Sequence, residues 1–107
     1  MDNNNYNDLS RYTTVNVNNL LFDQYNPRLP DNIDGSDDDA VMEWMLREGE
    51  SVELIESIGE SGYSTAEPLL VVKYRKDIYT VVEGNRRLVA LKILNNPSLA
   101  PINKKNN

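Results

Sequence analysis

The stretch VVEGNRRLVALKIL, residues 81–94, constrains the fold more than any other part of the chain. A β-branched run ends at Gly84, and an apolar pattern of helical spacing starts directly after it. Glycine suits such an abrupt change of direction, because without a Cβ it enters backbone conformations closed to other residues and lets a ligand approach the main chain. The junction also presents the first N–H groups of the helix, those of Asn85, Arg86 and Arg87, backed by the positive end of the helix dipole. Two arginines in that turn oppose the dipole, at about 0.3–1 kcal/mol each for an exposed site. An anion between them reverses the sign. That anion is either a ligand phosphate, which suits forked guanidinium donors, or a protein carboxylate such as Glu83. A plain turn with solvated arginines is the competing reading, and spacing alone does not separate them.

The rest of the chain supplies partners for this junction. TTVNVNN alternates Val15 and Val17 with polar residues, as a short half-buried strand does. FDQYNPRLP carries two prolines and predicts a loop, and DNIDGSDDD predicts a linker that ends in a helix N-cap at Ser36 or Asp37. A first helix then places Val41, Trp44, Met45 and Glu48 on one side and ends at Gly49. A second helix, over 51–61, carries Val52, Ile55 and Ile58 or Gly59 on its buried face. Pro68 opens an extended run, RKD makes a turn, and 69–83 reads as a hairpin in which Tyr74 and Tyr79 pack across the strands. The last helix, about 85–95, shows Leu88, Leu91 and Leu94 or Ile93 on one face and stops before Pro97. This order predicts a small α+β domain, with a short mixed sheet against about three helices. Residues 1–11 read as a disordered lead-in, 12–96 as the domain, and 97–107 as a tail or truncation point.

Composition narrows the chemistry. The chain has 107 residues, no cysteine and no histidine. Disulfides, thiolate metal sites and cysteine or histidine catalysis are therefore excluded. A net charge of -6 argues against a general nucleic-acid surface but leaves room for a local cationic pocket. No apolar stretch approaches the roughly 20 residues that span a bilayer, and the first residues lack the apolar core of a signal peptide. The expectation is a cytoplasmic protein with no membrane partner. The acidic run DGSDDD lacks the spacing of a calcium loop and reads as a linker, so no metal site is assigned. Trp44 and Met45 read as core.

Three segments, in order over residues 13–95, resemble the ParB/sulfiredoxin superfamily, specifically the amino-terminal ParB-like domain. VNVNNLLFDQYNPR is similar to its first strand and Asn-Pro-x-x-Arg loop, here compressed to Asn26-Pro27-Arg28. LIESIGESGYSTAEPLLVV is similar to its helix, glycine, proline and strand segment, and YTVVEGNRRLVALKIL to its Gly-Glu-Arg-Arg box. The resemblance implies a nucleotide site, since in ParB proteins this box helps hold the phosphates of CTP and related members bind ATP or ADP. It places Gly84, Asn85, Arg86 and Arg87 on the phosphates, with Arg28 contributing from the early loop. Magnesium would accompany CTP or ATP. Glu67 occupies a position where many ParB domains have a polar residue near the nucleotide.

Three departures qualify what carries over. Asn85 stands where the box has a glutamate, and Glu83 either substitutes for that carboxylate or pairs with an arginine. The sulfiredoxin cysteine is missing, which rules out sulfinic-acid reduction. Nothing after residue 95 supplies the downstream helices and DNA reader of ParB proteins, so DNA is expected as a partner only through missing downstream domains or another protein. The leading expectation is a nucleotide-binding regulatory module in DNA partition, phage or mobile-element biology. The alternatives are a metal-dependent nuclease or phosphotransferase with Glu83 or Glu67 as base or metal ligand, and a non-catalytic protein-interaction module. A homodimer belongs to the same set of expectations.

Overall fold

The computed structural model describes residues 14–48, 50–63 and 67–99. A short 3-10 turn, Val17–Asn19, leads into strand β1 (Leu20–Phe22). Helices α1 (Asp38–Arg47) and α2 (Glu50–Ser61) follow, then β2 (Leu70–Arg75), β3 (Ile78–Glu83), α3 (Asn85–Asn95) and a 3-10 turn at Pro97–Leu99. The sheet is mixed, in the order β1-β3-β2. β3 runs parallel to β1, with Leu20 opposite Tyr79, and antiparallel to β2, with Val72 opposite Thr80. The small α+β domain read from the sequence is the fold observed. The lead-in expected over 1–11 lies outside the described residues, as does 100–107 of the expected tail. Leu99 packs against the core, so ordered structure reaches that residue.

One core joins the two layers. Leu20 and Phe22 from β1, Val81 from β3, Val41, Met42 and Met45 from α1, and Leu88, Val89 and Ile93 from α3 are buried together. α3 stands at its centre: Leu88, Val89 and Ala90 have no exposed surface. Of the face expected at Leu88, Leu91 and Leu94 or Ile93, Leu88 and Ile93 are buried and Leu94 is exposed, so the face is rotated to take in Asn85 and Val89. Burial of Asn85 sets this rotation, because its side chain is bonded inside the fold.

Four further expectations are corrected. The strand read at Val15 and Val17 begins instead at Leu20. Asn16 accepts the N–H of Asn18 at 2.8 Å and caps a 3-10 turn, a local alternative to extended structure. Val52 is exposed, and the serine before it is fully buried, so the inner stripe of α2 runs through Ser51, Ile55 and Ile58. Glu48 lies exposed at the C-cap of α1, whose inner stripe includes Met42. Tyr74 and Tyr79 are not opposite each other. The register breaks between Lys73 and Arg75, leaving Tyr79 against the core and Tyr74 exposed beneath the Arg75 guanidinium, 5.8 Å from its ring centre.

Asp37 is the N-cap of α1, accepting the N–H groups of Asp39 and Ala40 at 3.1 and 3.2 Å. The 23–37 loop before it is a chain of short turns: Asp23 accepts from Tyr25 N–H, Asn26 from Arg28 N–H, and Asp34 from Ser36 N–H. The far end of this loop lies back against its beginning. A Cβ at Gly35 would collide with the Gln24 carbonyl oxygen, so only glycine permits this approach. Arg28 is thus carried by a compact loop fastened at both ends.

Candidate functional site

The site forms where β3 turns into α3. Gly84 has φ 104° and ψ 22°, the left-handed region, and the carbonyl of this residue accepts the first ladder bond of α3, from Leu88 N–H at 2.9 Å. Asn85, Arg86 and Arg87 are therefore the first turn, ahead of that ladder, where backbone N–H groups face the helix entrance. A Cβ on Gly84 would meet Leu69 Cδ2 at 2.6 Å and an Arg87 guanidinium nitrogen at 3.4 Å. The glycine lets the arginine fold back over the junction.

Asn85 fixes the junction from beneath. Its side chain is buried, donating Nδ2–H to the Val81 carbonyl at 3.0 Å and accepting Asp23 N–H on Oδ1 at 3.3 Å. The first bond ties α3 to β3; the second ties it to the exit of β1, where the Arg28 loop starts. A carboxylate could make the second contact but not the first, since it has no proton to donate. This accounts physically for asparagine where the resembled box has glutamate. It also leaves the backbone, not the side chain, as Asn85's contribution to a ligand.

Ser51, buried in α2, donates its hydroxyl to the Arg86 carbonyl at 3.3 Å and sets the height of the first turn of α3 against α2. Sequence periodicity misses this serine, because a polar residue at a buried position carries no apolar signal.

A cavity of about 610 Å³ opens over the junction, within the size range of small-molecule sites. Gly84, Asn85, Arg86 and Arg87 line it from β3 and α3, with Glu83 beside them, and Arg28 reaches it from the loop with Asn26. The five residues assigned to phosphate from the sequence thus meet in one cavity. Trp44, Met45 and Glu48 of α1 and its C-cap, and Glu53, Leu54 and Ser57 of α2, form the facing wall. Sequence reasoning assigned Trp44 to core packing. The indole is half-buried, touching the core and lining the cavity together.

Among the described residues, Glu83 makes no ion pair with Arg28 or Arg87. Glu67 does not line the cavity. Its carbonyl accepts the Tyr63 hydroxyl, and burial raises the Tyr63 phenol above the ordinary tyrosine value while the positive charge of Arg87 opposes that rise. Lys92 of α3 does not line the cavity. It donates Nζ–H to the Val17 carbonyl at 3.2 Å and lies 5.8 Å from the Phe22 ring centre, and burial lowers its pKa.

No three acidic side chains among the described residues are placed to hold a metal ion. No described helix is long and apolar enough to cross a membrane. Comparison with protein-family models, curated proteins and solved structures finds no match.

Proposed function

We propose that this chain is a ParB-like domain that binds the phosphates of a nucleotide, CTP or ATP, in the cavity over the β3–α3 junction, and that it serves as a regulatory module. One observation carries the reading. Three arginines from two separate parts of the chain, Arg28, Arg86 and Arg87, line a single cavity at a helix entrance reached through a left-handed glycine. Guanidinium forks and first-turn N–H groups both suit phosphate oxygens. Asn85 joins the two chain segments, accepting Asp23 N–H where the Arg28 loop starts and donating to the Val81 carbonyl of β3.

Magnesium, where it accompanies the nucleotide, would be held chiefly by phosphate oxygens and water, as this ion commonly is. The ligand's fit does not depend on a protein cage. DNA partition, phage or mobile-element biology is the setting that the family resemblance suggests.

Arg28 gives a direct test, because it is exposed on its loop and its substitution leaves the core intact. Arg28→Ala should weaken CTP or ATP binding about tenfold, the effect of losing one charge-assisted hydrogen bond, with unchanged thermal stability of the unliganded domain. Equal affinity in the folded variant would remove the loop from the site.

A further inference from the structure

The cavity has two walls of opposite chemistry, and only one of them is explained by phosphate. The loop and the β3–α3 junction present Arg28, Arg86 and Arg87. The α1–α2 side presents two carboxylates, Glu48 and Glu53, with the indole of Trp44 and the apolar side chains of Met45 and Leu54. Both glutamates are exposed, and among the described residues neither is engaged by an ion pair. Were the ligand a bare polyanion, these carboxylates would repel it across a cavity of this size. They become favourable only if the ligand also brings hydrogen-bond donors, and the indole becomes useful only if it brings a flat ring.

Resting on the phosphate-binding reading above, we infer that the α1–α2 wall is the specificity element of the site. Glu48 and Glu53 accept N–H or O–H donors from the nucleoside part of the ligand, and Trp44 packs against its ring. The walls divide the ligand: phosphate oxygens on the arginines, sugar or base donors on the glutamates. Aromatic stacking and carboxylate acceptance together favour a nucleoside phosphate over inorganic polyphosphate. Glu48 closes α1 as its C-cap, and Glu53 lies on the first turn of α2, so both are presented by the same helix–helix corner.

The test uses the opposite signs that this division predicts. Titrate the whole chain and Glu48→Gln/Glu53→Gln with ATP, with CTP and with sodium tripolyphosphate. Glutamine preserves size, and both sites are exposed, so the fold is retained. The variant should bind ATP or CTP about tenfold more weakly, because charge-assisted acceptors have become neutral ones. The same variant should bind tripolyphosphate about twofold or more tightly, because like-charge repulsion is relieved. If all three ligands bind the variant more tightly, the glutamates only repel and the specificity inference is overturned while phosphate binding stands. If wild type binds none of them, the phosphate-binding reading itself fails, and this inference with it.

Discussion

Asn85 is the residue on which the site most depends. It is buried in the first turn of α3, donating to one strand's carbonyl and accepting from the backbone at the exit of another. Asn85→Asp keeps the shape but sets a carboxylate oxygen against the Val81 carbonyl, and should cost about 2–4 kcal/mol at neutral pH by combining a lost bond with a buried charge. The sign with pH follows from that burial. The aspartate's folded pKa would lie above its unfolded value, so the protonated form is favoured in the fold. The variant should therefore recover stability as pH falls through the raised pKa, relative to wild type. Urea midpoints of both proteins at pH 7 and pH 4.5 check it, and a deficit that does not shrink at the lower pH would contradict the hydrogen-bond assignment. Gly84, Arg86 and Arg87 were legible in the sequence because a glycine before two cations at a helix start is a local pattern, whereas Arg28 came only from the resemblance of the early loop. The role of Asn85's side chain was not, since its two partners lie on different strands.

At the scale of elements, α3 is both the centre of the core and the edge of the cavity, so its packing decides where the arginines stand. The sequence left its buried face open between Leu94 and Ile93, and Ile93 is the buried one. Leucines at 88, 91 and 94 form a plausible apolar stripe, but Asn85 must sit inside to reach β1 and β3, and that turns Leu94 outward. α2 shows the same physics. Ile55 and Ile58 fit a stripe that extends back to either Val52 or Ser51, and the Ser51–Arg86 bond selects the serine. Ser51→Ala should destabilise the domain by about 0.5–1.5 kcal/mol, as for one hydrogen bond. It should also weaken nucleotide binding, although Ser51 does not line the cavity, because the first turn of α3 loses its support. A paired readout of urea midpoint and nucleotide affinity tests this. Lost stability with unchanged affinity would show that the bond supports the core alone. The hairpin was legible from its alternation and turn, but the β2 irregularity that separates Tyr74 from Tyr79 follows from the backbone and carries no composition signal.

For the whole molecule, a net charge of -6 is compatible with an anionic ligand because Arg28, Arg86 and Arg87 line one cavity and set its local field. The compact loop of 23–37, the β3–α3 turn and the α1–α2 corner each contribute one side of a single cavity. Order along the chain made the α+β class readable, since a hairpin followed by a helix, preceded by two helices, leaves few ways to cover one sheet face. The parallel pairing of β1 with β3 was not readable, because β1 is only three residues long and its strand signal was displaced toward Val15 and Val17. The central claim is that the β3–α3 junction holds ligand phosphates. The most direct measurement is calorimetric titration of the purified chain with ATP and with CTP, each with and without magnesium, beside Arg86→Ala/Arg87→Ala. Binding by wild type that is lost in a folded double variant is the predicted result; a variant that is folded and binds with wild-type affinity would contradict it.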